Sequence, residues 1–317
     1  MKNTIRYFAQ PMIEKMFDAA NGGVLSRIDE QGKRGGELYN WSINPHSPAP
    51  ESPLQQDDLG FDLAHPLLLA GPNAVSNQAL YPIMTAIENL QTAGVLIRRR
   101  RSHRQPHLSE VLELSRVAME CAASSIWLMT AGDRASRVER CLRIEMKQLK
   151  HQLSFLKLSA TAEGAPANRT PREVRDMNAN HRVKLSALFD EAEKAYRYKN
   201  PPQFTQMVSE SARWIDNNVP QHDRGEISSN SVEHTANVIY AFGSSFIHGY
   251  KWAADYSRGG DIWRVVADAL AVSINMTECA ACLFESAAIA PNSMPGIAHF
   301  PERLVPTVTA WSTDLFR

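Results

Sequence analysis

Cysteine is scarce in this chain. Cys121, Cys141, Cys279 and Cys282 are the only four in 317 residues. All four fall inside helical patterns, which speaks against a disulfide-stapled secreted fold. Net charge is missing too: 34 Lys and Arg face 34 Asp and Glu. No global field steers the chain toward nucleic acid or an anionic membrane, so any such binding must come from a local patch. There is no uninterrupted apolar run of about eighteen residues, the length that marks a membrane span. Charges and Pro11 break the basic N-terminus, so it does not read as a signal peptide. A cytoplasmic protein that does not enter the membrane is the expectation. A Walker-type glycine loop, Gly-x-Ser-x-Gly and His-Glu-x-x-His are also absent, and no His and carboxylate cluster has metal-ligand spacing. Neither a cofactor nor a metal is expected.

Helix breakers are plentiful but confined. Gly22-Gly23, Gly35-Gly36, Pro45, Pro48, Pro50 and Pro53 crowd into residues 22–64. Residues 1–64 therefore read as a short helix followed by an irregular arm, with short strands near Gly36–Ile43. Pro291, Pro295, Pro301 and Pro306 make residues 291–317 an irregular tail. Between them, residues 65–290 carry apolar positions at spacings of three and four. Leu80, Ile83, Met84, Ile87 and Leu90 follow an expected break at Gly71-Pro72, with Pro82 in a first helical turn. Val111, Leu112, Leu114, Ala118, Met119, Ile126 and Leu128 form the core face of the next helix. Ile262–Ile289, almost wholly apolar, is the expected central buried helix. The predicted fold is all-α, a multi-helix bundle. Cys279-Ala-Ala-Cys282 sits mid-helix with no second pair, which points to core packing.

Four features carry candidate chemistry. The first is Arg98–Arg101 with His103, Arg104 and His107. It reads as a solvated helix end in preference to a phosphate-binding patch. The second is a narrow polar stripe of Glu113, Arg116, Glu120 and Ser124 on the helix over 108–130; Arg116 and Glu120 are placed for an i,i+4 ion pair. The third is the charged helix from Arg134, with Asp133 as its cap and Arg137, Arg140, Arg143 and Lys147 in neighbouring rows. The fourth is Ser244–Tyr250, inside the helical stretch 228–255. There His248 is either a structural histidine or a general acid or base, and Gly249 lets another group come close.

The run Phe242-Gly-Ser-Ser-Phe-Ile-His-Gly-Tyr250 resembles the final-helix motif of HEPN domains, which read Arg-Asn, three more residues, then His-Gly-Tyr. Gly243 stands here at the arginine position and Ser244 at the asparagine position. A wider pattern is similar to bacterial helical proteins distantly related to those domains: Arg116-x-x-x-Glu120 before Trp127-Leu128, then Arg137-x-x-Arg140, then Ser245-x-x-His248-Gly249. Arg175-Asp-Met-Asn-Ala-Asn-His181 matches a looser spelling and is read as coincidental. The resemblance implies an HEPN-like α-bundle, a class in which many members are metal-independent ribonucleases acting as dimers in toxin–antitoxin and phage-defence systems. Two functions follow. In the preferred one the chain is a non-catalytic interaction or regulatory module for a protein partner or a second copy, and Arg116, Glu120 and His248 form a polar network that fixes helix register. In the other it acts on RNA: His248 serves as acid or base, Arg116 or Arg140 replaces the motif arginine, and Ser245 and Glu120 position them.

Overall fold

A computed structural model describes residues 12, 14–44, 47–68, 72–103, 108–163, 171–223, 231–255, 261–290, 293 and 298–316. Among them every regular element is helical and no strand occurs. Gly71, Pro45, Arg104, His107, Pro291 and Pro295 lie outside the described residues. So do the side chains of Arg100, Arg101 and His103.

The centre is built from three long helices, α4 (Ala74–His103), α5 (Leu108–Met129) and α11 (Asp261–Ala288). The apolar positions of α5 pack as their spacing predicts, with Val111, Leu112, Ala118, Met119, Ile126 and Leu128 all buried. Each large side chain of this kind contributes about 1.5–3 kcal/mol on burial. Helix α11 is buried on nearly all sides, as expected. Ile262–Ala288 is long and apolar enough to cross a membrane, but 83% of its most apolar window is covered by the bundle. Cys279 and Cys282 are fully buried and free. Burial pushes both thiols well above their ordinary range, which suits packing and not redox chemistry.

Three expectations are corrected. The segment 22–64 is not an irregular arm with strands. It holds α1 (Val24–Arg34), α2 (Tyr39–Ser42) and α3 (Pro53–Ala64), and Val24, Ile28, Trp41, Leu54 and Phe61 are buried in the common core. Its breakers mark helix ends. Gly23 takes a left-handed conformation at the start of α1, and Gly35 closes it. Ser52 caps α3, accepting from the Gln55 N–H at 3.3 Å, with Pro53 in its first turn. The tail is corrected likewise: Pro306 sits in the first turn of α12 (Val305–Asp314), where Val308 and Trp311 are buried. Lastly, Pro82 lies inside α4 and not in its first turn, and the helix continues past it. One turn upstream, the Ala79 carbonyl accepts from Ser125 Oγ at 2.6 Å, a bond from α5 beside the disturbed ladder.

The remaining helices wrap this centre. They are α6 (Arg134–Glu163), α7 (Arg172–Ala195), α8 (Phe204–Asn217), α9 (Val232–Ile247) and the short α10 (Lys251–Asp255). Asp133 caps α6, accepting from the Ser136 N–H at 2.7 Å. Helices α8 and α9 lie against α5, and the seam between α5 and α9 carries the candidate site. Helices α6 and α7 form an antiparallel hairpin in which Ala192 is the only buried residue described on α7.

Candidate functional site

The site begins at the end of α9. His248 is the residue that closes this helix: its N–H donates to the Ser244 carbonyl at 3.1 Å. Gly249 follows with φ +63°, and its N–H donates to the Phe246 carbonyl at 3.0 Å. The Tyr250 N–H then reaches back to the Ser245 carbonyl at 2.8 Å. These two crossed bonds, with a left-handed glycine between them, are a Schellman helix end. The His-Gly-Tyr spelling is therefore accounted for by chain termination: the glycine is there because its φ suits no other residue well. Gly249→Ala is expected to lower stability by about 1 kcal/mol, read as a shift in the urea unfolding midpoint.

The His248 side chain is exposed and its ring lies 5.6 Å from that of Tyr250. Among the described residues, no hydrogen bond or ion pair joins it to Arg116, Glu120, Arg140 or Ser245. Ser245 is buried, and its hydroxyl donates to the Ala241 carbonyl at 3.0 Å, one turn back in the same helix.

Arg116 is engaged elsewhere. Its guanidinium pairs with Glu120 at 2.9 Å, donates to the Tyr240 hydroxyl at 3.2 Å, and lies over the Tyr240 ring at 4.7 Å from the centroid. Both charged side chains are mostly buried between α5 and α9, 15% and 19% exposed. The stem of Arg116 runs across Gly243. A Cβ built on Gly243 would meet Arg116 Cδ at 3.5 Å, Arg116 Cβ at 3.6 Å and the Leu112 carbonyl at 3.9 Å. The position that carries the family's arginine is thus the surface on which Arg116 rests.

Arg140 faces a different neighbour. It donates to the Trp127 carbonyl and stacks over the Trp127 ring at 4.7 Å. Burial there pushes its guanidinium below its ordinary range. Arg143 approaches the same ring at 5.2 Å and donates to the carbonyls of Lys199 and Asn200. Arg137 forks onto Asp57 of α3, its second bond at 2.9 Å. The arginine rows of α6 therefore tie that helix to its neighbours. The structure brings Arg116 and Glu120 together and leaves His248, Ser245 and Arg140 apart from them.

A buried charged cluster went unread in the sequence. Glu278, in the middle of α11, is 1% exposed. It accepts from Arg34 Nε at 2.9 Å and a terminal Arg34 nitrogen at 2.6 Å. Arg303 donates to both of its oxygens, and His222 Nε2 lies 3.3 Å away. Asp223 takes the other side of Arg34 at 3.1 Å and accepts from Asn275. One helical stripe further, Glu285 accepts from the Trp41 indole at 2.5 Å. Asn275, Glu278, Cys282 and Glu285 recur at three and four, one face of α11. That spacing of two carboxylates on an apolar helix was the available signal, but the cations answering Glu278 sit in segments read as irregular. Among the described residues no group of three or more His, Cys, Asp or Glu is disposed to hold a metal ion. Glu278 and Asp223 are answered by the guanidinium groups of Arg34 and Arg303, whereas Glu285 is held by a neutral donor, the Trp41 indole.

The geometry defines an all-helical bundle with a polar seam between α5 and α9. Compared with family models, with curated proteins and with solved structures, the chain matches none of them.

Proposed function

We propose that this chain is a non-catalytic, HEPN-like helical module of the cytoplasm that acts by holding a partner. The partner is a second protein or another copy of the chain, in the toxin–antitoxin or phage-defence setting that the resemblance implies. The observation that carries this reading is the engagement of Arg116. Acid–base cleavage of RNA needs a cation aimed at the charge that develops beside the histidine. Arg116 is instead neutralised by Glu120, covered by Tyr240 and seated on Gly243. Arg140 is spent on Trp127. His248 serves the end of α9, so the register lock consists of Arg116, Glu120 and Tyr240 without it.

The test is incubation of the purified protein with a mixed RNA in the presence of chelator, read on a denaturing gel. Intact RNA is expected from the wild type and from His248→Ala alike. Cleavage that survives chelation and disappears in His248→Ala overturns the reading and restores the ribonuclease.

A further inference from the structure

A cavity of about 540 Å³ opens between the outer halves of α6 and α7. Leu156 and Ala160 line it from α6; Arg175, Asp176, Asn178, Ala179 and Arg182 line it from α7. Its volume is that of a small-molecule site. The pairing is antiparallel: Gln152 Nε2 stands 3.4 Å from His181 Nε2 on the side nearer the bundle. Arg175 and Arg182 are seven residues apart on one face, with Asn178 between them.

The two arginines differ in what they already hold. Arg175 and Asn178 each have an existing interaction. Arg182 is half-buried, and among the described residues it enters no hydrogen bond or ion pair. A guanidinium held part-way out of water beside apolar carbons gives up hydration, and a facing anion restores it. The surroundings add to this. Over residues 147–182 the described side chains include six Lys and Arg (Lys147, Lys150, Lys157, Arg172, Arg175, Arg182) against two acids, Glu173 and Asp176, a net of +4 in a chain whose total is zero. Asp176, the one carboxylate on the rim, is offset by Arg172 at 3.6 Å.

We infer that this notch binds a phosphorylated small molecule, with the phosphate on the Arg182 fork, Arg175 supplying a second positive charge and Leu156 and Ala160 forming an apolar wall. The wall suits an organic body such as a nucleoside; the fork alone suits an inorganic polyphosphate. The inference is independent of the non-catalytic reading, because neither Arg116 nor His248 lines the notch.

Isothermal titration of the full chain with ATP and, separately, with pyrophosphate tests it. Both are expected to bind the wild type. Tighter binding of ATP assigns the wall to the nucleoside, and equal binding assigns recognition to the phosphate alone. Arg182→Gln is expected to weaken binding by about tenfold or more, the loss of one charge-assisted fork, with an unchanged circular dichroism spectrum. Lys184→Gln removes an exposed cation two residues away and outside the lining; it is expected to leave the affinity within about twofold. Three results overturn the inference: no heat from either ligand at millimolar concentration, equal losses in both variants, or binding of a short single-stranded RNA where neither small ligand binds.

Discussion

Glu278→Gln is expected to lower the stability of the folded chain by about 3–5 kcal/mol, the range for removing one partner of a buried ion pair. Glutamine keeps the volume and loses the charge. Arg34, 16% exposed, and Arg303, 33% exposed, are both aimed at this carboxylate. Asp223 and Glu37 each hold one of them by a further contact, and neither can take the place of a carboxylate shared by two guanidinia. The loss reads as a fall in thermal midpoint of roughly 5–8 °C for a chain of this length. The exposed pair Arg213–Glu233 serves as comparison: Arg213 is 60% exposed, and its replacement by glutamine is expected to cost less than about 1 kcal/mol.

The same cluster sets the behaviour in acid. Burial pushes the Glu278 carboxyl up, but the close approach of His222 and the hydrogen bonds from Arg34 and Arg303 outweigh it and hold the group well below the usual carboxylate range. In the unfolded chain a glutamate takes up its proton near pH ~4.3. Below that value the unfolded state binds the extra proton and the folded state does not, so stability falls with falling pH. Above it the contribution is fully present. Urea midpoints measured from pH 6 down to pH 3 are expected to decline in the wild type and to decline less in Glu278→Gln. Equal slopes would remove Glu278 as a source of acid sensitivity.

Gly243 supports a second pair of outcomes of opposite sign. Gly243→Ala is expected to stabilise by roughly 0.5–1 kcal/mol. It removes a mid-helix glycine, and the added methyl meets Arg116 and the Leu112 carbonyl at ordinary contact distances. Gly243→Arg, which restores the family spelling, is expected to destabilise by about 3 kcal/mol or more. The new side chain leaves a buried position in the direction of the Arg116 stem, so it overpacks the seam and sets a second cation beside the first. Thermal unfolding of both variants reads the result. A tolerated arginine would mean that the seam has room for a motif arginine alongside Arg116.

Much of the central bundle was legible because it is local. The core face of α5 followed from spacing within one helix, as did the ion pair Arg116–Glu120 four residues apart. The buried character of α11 followed from composition alone. The N-terminal segment was misread because Gly23, Gly35 and Pro53 are both breakers and helix boundaries, and only the caps between them, such as Ser52, distinguish the two. Arg34 and Glu278 are 244 residues apart, a pairing that no single-chain periodicity can reveal. The His-Gly-Tyr run carried two meanings at once. Its spelling matched a family motif, while its physical role is to end α9 through the left-handed Gly249. Of the five candidate site residues, Arg116 and Glu120 meet; Ser245 bonds one turn back in its own helix, Arg140 is held by Trp127 of α5, and the His248 side chain is exposed at the end of α9.

The central claim is that Arg116 belongs to the fold and not to a reaction. A double-mutant cycle on Arg116→Met and Glu120→Met, read by urea unfolding, tests it most directly. Each single variant is expected to destabilise, because it strands or deletes one half of a mostly buried pair, and the double variant is expected to recover part of the loss, giving a coupling of roughly 1 kcal/mol or more. A structure that gains stability when Arg116 is removed, with no coupling to Glu120, would contradict the account, since that is the signature of a side chain held in place at the expense of the fold for the sake of chemistry.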